Sequence, residues 1–125
     1  MLIMKKGMPV NSGKTTEALK KVVELLSNNQ TVLFVSNELT HESICKRITE
    51  LSNNESIINE CFTYVGGDSK EDLEKLLSDI KSDESTSSVL KNSSIVVDIG
   101  KDVSDLKCDQ DLYVYYQIPR ENNSR

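Results

Sequence analysis

Residues 7–16 read Gly7-Met8-Pro9-Val10-Asn11-Ser12-Gly13-Lys14-Thr15-Thr16. Within them, Ser12-Gly13-Lys14-Thr15 has the residue types of a phosphate-binding P-loop. Gly13 lets the backbone come close to a polyphosphate with no Cβ in the way. Amide groups of the turn and of the helix start then point at phosphate oxygens. Lys14 brings a mobile positive charge to the outer phosphates, and the Thr15 hydroxyl is placed to ligate Mg²⁺. Asn11, Ser12, Gly13, Lys14, Thr15 and Thr16 form the candidate nucleotide-binding set. One position departs from the usual pattern: the first glycine is expected where Met8 stands, and Gly7 is one residue too early. Either the loop is a residue longer or its opening turn does without glycine. A helix that merely starts after Ser-Gly is the plain alternative, and the flanks decide between the two.

The flanks have the required order. Leu2-Ile3-Met4 is a short apolar run ahead of the loop, interrupted at once by Lys5 and Lys6. Beyond the loop, Ala18, Leu19, Val22, Val23 and Leu26 recur at helical spacing. Ser27-Asn28-Asn29 ends that helix. Thr31 to Ser36 is β-branched and continuously apolar at its centre, as in a strand covered on both faces. Strand, loop, helix, strand is the context that a P-loop demands.

Further on, Ile44, Ile48 and Leu51 form the inward stripe of a second helix, followed by a polar break from Ser52 to Ser56. Cys61 to Val65 reads as a third strand, closed by Gly66-Gly67. Ser69 and Asp72 resemble a capping box ahead of a helix with Leu73, Leu76, Leu77 and Ile80 on one side. A polar stretch, serine-rich from Ser82 to Ser88, predicts a mobile loop over 82–93. Ile95-Val96-Val97-Asp98 is a buried strand ending in a carboxylate, and Leu112 to Ile118 is a last strand before a polar tail, 119–125. Strands alternating with helices predict an α/β fold with a mainly parallel sheet of about five strands and flanking helices.

The chain has 125 residues and a formal net charge of −5. That length suits one domain spanning 1–125. The acidic balance speaks against strong autonomous nucleic-acid binding, which needs a basic face. Four apolar residues before Lys5-Lys6 are too few for a secretory signal, and no stretch has the length of a membrane span, so a cytoplasmic setting is expected. Cys45, Cys61 and Cys108 form no Cys-x-x-Cys pair and read as buried or idle thiols in a reducing compartment. His41, the single histidine, reads as a surface residue at a helix start.

Ligands of parallel α/β sheets bind at the carboxyl ends of the strands. Three polar residues stand at such ends: Glu38 after the second strand, Asp98 at the end of the fourth, Gln117 near the end of the last. Asp98 suits a carboxylate that holds Mg²⁺ through water. Glu38 suits a base or orienter for the water attacking the γ-phosphate. Gln117 suits a reporter of γ-phosphate occupancy. Taken singly, each has a plainer reading: a helix-start charge, a turn residue, an exposed amide.

Four stretches, in order, resemble the ATPase domain of DnaB-type replicative helicases, within the RecA-like P-loop ATPases. They are the P-loop; Val32-Leu33-Phe34-Val35-Ser36-Asn37-Glu38-Leu39-Thr40 with the following Glu42-Ser43-Ile44-Cys45-Lys46-Arg47-Ile48; the strand Ile95 to Asp98; and Tyr116-Gln117-Ile118-Pro119-Arg120. The flavour is that of large-phage helicases. The resemblance implies a RecA-like domain binding ATP and Mg²⁺, with Glu38 matching the family's catalytic glutamate and Gln117 its γ-phosphate-coupled glutamine. Nothing here matches the helicase N-terminal domain or the later segment bearing the arginine that reaches a neighbouring nucleotide, and Tyr115-Tyr116 replaces small residues before the glutamine. The expectation is a slow minimal ATPase acting near DNA replication or recombination, alone, as a homo-oligomer or beside a helicase or ATPase subunit. Two other readings stay open: a non-enzymatic relative that docks onto such a machine, and a small P-loop nucleoside or nucleotide kinase.

Overall fold

A computed structural model describes residues 3–9, 12–66, 69–82, 92–100, 106 and 110–118. The strands are β1 (Ile3–Met8), β2 (Val32–Ser36), β3 (Cys61–Val65), β4 (Ser94–Ile99) and β5 (Leu112–Gln117). The helices are α1 (Lys14–Ser27), α2 (His41–Ser52) and α3 (Lys70–Ser82), with a 3-10 helix at Glu55–Glu60. All pairings in the five-stranded sheet are parallel, in the order β1-β5-β4-β2-β3. The α/β class and the parallel sheet expected from the sequence are both present. The expected tail, 119–125, and residues 83–91 of the expected loop lie outside the described residues; Ser82 closes α3.

Continuous apolar strands are explained by burial on both faces. Val32 and Phe34 face a cluster with Ala18, Leu19 and Val22 of α1 and Ile44 and Ile48 of α2. Leu33 and Val35 face the opposite cluster, with Leu73 and Ile80 of α3. β4 and β5 alternate in the same way, Val96 and Tyr113 to one side, Val97 and Val114 to the other. Each fully buried aliphatic or Phe side chain contributes roughly 1.5–3 kcal/mol relative to exposure.

Several local expectations change. β1 runs through Lys5 and Lys6 to Met8 instead of stopping at Met4, because it is an edge strand where charged side chains remain in solvent. Gly7 therefore belongs to the strand and not to the loop. A Cβ there would lie 2.6 Å from Ile118 Cγ2 and 2.8 Å from Tyr116 Cζ, so the glycine makes room for the neighbouring strand. The opening turn does without glycine and begins at Pro9, whose carbonyl accepts from the Ser12 amide (3.3 Å) and hydroxyl (2.6 Å). Leu51, expected inward, is 42% exposed because it lines a surface groove instead of continuing the Ile44–Ile48 stripe. The 3-10 helix begins inside the polar break, capped by Asn54, and runs past it so that Ile57 and Ile58 pack on the core.

Candidate phosphate site

Parallel register aligns the carboxyl ends of the strands. Met8 stands opposite Gln117, and Ser36 opposite Asp98. The turn after β1, the end of β4, the end of β5 and the bend after β2 therefore share one edge. The Ser36 hydroxyl accepts from the Glu38 amide at 3.2 Å, which sets how the chain leaves β2. At this edge a cavity of about 320 Å³ is lined by Pro9, Gly13, Lys14, Thr15, Thr16, Glu38 and Gln117. That is the small end of the range for small-molecule sites, about 300–1,000 Å³.

Gly13 caps α1 in the left-handed region, φ 87°, and a Cβ on it would meet nothing within 4 Å. Among the described residues no side chain caps this helix. In contrast, Thr40 caps α2 through the Ser43 amide (3.1 Å), and Ser69 accepts from the Asp72 amide near the start of α3 (3.2 Å). The first-turn amides of α1 thus face the cavity without a side-chain acceptor among the described residues, the arrangement that favours an anion.

Asp98 was expected to end its strand. β4 continues to Ile99, which is buried in the α3-side cluster, so the carboxylate sits within the sheet and is fully buried. It is tolerated because both oxygens have partners. Lys14 Nζ, itself buried, bonds to Asp98 Oδ1 and to the Ile99 carbonyl at 2.9 Å. The Thr15 hydroxyl donates to Asp98 Oδ2 at 2.9 Å. Lys14, Thr15 and Asp98, drawn from α1 and β4, form one polar cluster behind the cavity.

Of the residues singled out in the sequence, the structure brings together Gly13, Lys14, Thr15, Thr16, Glu38 and Gln117 at the cavity, with Asp98 behind them. Ser12 instead folds back on Pro9. Asn11 lies outside the described residues.

A side groove of about 220 Å³ shares Thr16 with the cavity and adds Leu19, Arg47, Glu50 and Leu51. Its residues were not singled out as site residues, although Arg47 and Glu50 stand three apart on α2 and so share a face. His41 is exposed, as expected, and its ring contacts Thr63 Oγ1 (2.6 Å) and Cys45 Sγ (3.6 Å).

Among the described residues no group of three or more His, Cys, Asp or Glu side chains is placed to hold a metal. The donor set still fits Mg²⁺ with a polyphosphate: one hydroxyl and one carboxylate lie side by side, and Mg²⁺ takes its remaining ligands from phosphate and water. No helix among the described residues is long and apolar enough to cross a membrane. No family model matches the chain, and comparisons with curated proteins and with solved structures find no match.

Proposed function

We propose that the chain is a minimal RecA-like, DnaB-like P-loop protein that binds Mg-ATP and hydrolyses it slowly. The observation that carries this reading is the convergence of Lys14, Thr15, Glu38 and Gln117 on one cavity at a helix N-terminus that Gly13 opens. The first amides of α1 and Lys14 hold the phosphates. Thr15 directly and Asp98 through water would hold Mg²⁺, which would supply positive charge against the phosphates there. Glu38, exposed at the cavity, orients the attacking water. The water oxygen joins the γ-phosphorus as the bond to the bridging oxygen breaks, and the water's proton passes to Glu38 and then to solvent, leaving ADP and phosphate. Gln117 contacts the γ-phosphate from β5, and the groove beyond Thr16 receives the nucleoside.

The test is a calorimetric titration of the wild-type chain with ATP and ADP, with and without Mg²⁺. Saturable binding is expected; absence of binding at millimolar nucleotide overturns the reading. A non-enzymatic docking role is supported by a different observation: edge strand β3 exposes Phe62, Tyr64 and Val65 (39, 38 and 57%) and carries no charge between Cys61 and Val65. Nucleotide-independent capture of a partner through β3, without turnover, would favour that role.

A further inference from the structure

We infer that Asp98 makes this site selective for the metal complex of a nucleotide over the bare nucleotide, by holding Lys14 until a divalent cation replaces it. The inference rests on the nucleotide reading above and specifies which form of the ligand the site takes.

Lys14 is the phosphate-directed charge, yet its ammonium is occupied within the protein. It bonds to Asp98 Oδ1 and to the Ile99 carbonyl, and its side chain is 8% exposed. Asp98 is 0% exposed. A bare polyphosphate that drew Lys14 outward would strip a buried carboxylate of its counter-charge and bring further negative charge close to it. Removing one partner of a buried ion pair is the costly case, because the charge left behind is uncompensated. A metal-complexed polyphosphate avoids that penalty. The cation takes over charge compensation at Asp98 as Lys14 moves to the phosphate.

The geometry suits such an exchange. Thr15 is the next residue after Lys14, and its hydroxyl already lies 2.9 Å from the other Asp98 oxygen. The carboxylate thus has one oxygen on the ammonium to be replaced and one beside a neutral ligand for the incoming ion. The Ile99 carbonyl gives Lys14 a second hold, so its release is a discrete step rather than a drift.

The consequence runs against the simple view of Asp98 as a contributor to affinity. Asp98→Asn, neutral and nearly isosteric, should bind ATP in EDTA more tightly than wild type, by about tenfold, since Lys14 is no longer held by a charge. Its affinity should change less than about threefold on adding Mg²⁺, whereas wild type should gain about tenfold or more. Calorimetric titrations of both proteins with ATP in EDTA and in Mg²⁺ read these numbers. If Asp98→Asn binds metal-free ATP no tighter than wild type, the exchange is overturned.

A second arm needs no nucleotide. Lys14→Ala leaves the carboxylate open to a cation, so millimolar MgCl₂ should raise the melting temperature of Lys14→Ala and leave wild type and Lys14→Ala/Asp98→Asn unmoved. An equal response of all three proteins overturns the inference. Failure of wild type and Asp98→Asn alike to bind any nucleotide would overturn the functional reading, and the Mg²⁺ arm would then judge the exchange on its own.

Discussion

Gly7 on β1 and Tyr116 on β5 stand opposite each other in the parallel register, and the tyrosine ring occupies the space that a Cβ on residue 7 would need. The contacts would be 2.8 and 2.9 Å to the ring and 2.6 Å to Ile118 Cγ2. Overpacking of this kind costs about 1–3 kcal/mol. Gly7→Ala is therefore expected to lower the urea midpoint with an unchanged m-value. An unaltered midpoint would mean that β1 shifts freely along the sheet edge.

Lys14 and Asp98 predict a stability effect separate from ligand binding. Lys14→Ala strands a fully buried carboxylate, and breaking a buried pair in this way costs about 3–5 kcal/mol. Adding Asp98→Asn removes the stranded charge, so the double variant should be more stable than Lys14→Ala alone. Denaturant unfolding of the two variants reads the coupling, and additive losses would show that the pair is not formed in solution. Loss of ATP binding in Lys14→Ala is interpretable only beside this measurement.

The same pair marks the limit of what was legible in the sequence. Lys14 and Asp98 are each readable from local pattern, one after Ser-Gly and the other after three β-branched residues. Their contact spans 84 positions and exists only because β4 lies two places from β1 in the sheet. The buried strands were legible because burial on both faces leaves a continuous apolar run. Edge strand β1 was only partly legible, since its lysines stay in solvent and erase the signal. Leu51 fits a helical stripe by spacing, but spacing does not say where the neighbouring helix ends. Gly7 was left undecided because a glycine that clears a neighbouring ring looks, in one dimension, like a glycine that forms a turn.

On the proposed reading, Glu38 separates chemistry from binding. It is exposed at the cavity, and its backbone is fixed by Ser36. Glu38→Gln should keep ATP affinity within about threefold and lower turnover by roughly 10²-fold or more, as expected for loss of a positioned base. Phosphate release and calorimetry on the same protein check both halves. Unchanged turnover would reduce Glu38 to a charge at the start of α2.

Cys45 and Cys61 should differ sharply as thiols. Burial, with a smaller contribution from Cys45, pushes Cys61 from 9.0 up to about 12, so it stays protonated through the neutral and mildly alkaline range. The thiolate is the reactive form. Cys45 is half-buried and accessible from α2. In native protein at pH 8, N-ethylmaleimide should label Cys45 well before Cys61, as read by peptide mass mapping. The folded state holds the Cys61 proton where the unfolded state loses it, so stability should be intact below pH 9 and decline from there towards pH 12. Equal labelling of the two thiols in native protein would place Cys61 at the surface.

Turnover by the chain alone should be slow. Charge developing on the γ-phosphate needs cationic stabilisation beyond the metal, and an arginine supplied from a neighbouring subunit contributes about 10³–10⁵ in rate to related phosphoryl transfers. Among the described residues the only cation lining the cavity is Lys14; Arg47 faces the adjoining groove. The net charge of −5 also gives single-stranded DNA little electrostatic purchase with which to organise the chain. Steady-state hydrolysis is therefore expected to be low, insensitive to added single-stranded DNA, and to rise with protein concentration or with a partner that donates an arginine. Measuring turnover per chain across a wide concentration range, with and without DNA, checks each part. Fast hydrolysis independent of concentration would show instead that one chain holds a complete catalytic site, with the missing cation supplied from within its own 125 residues.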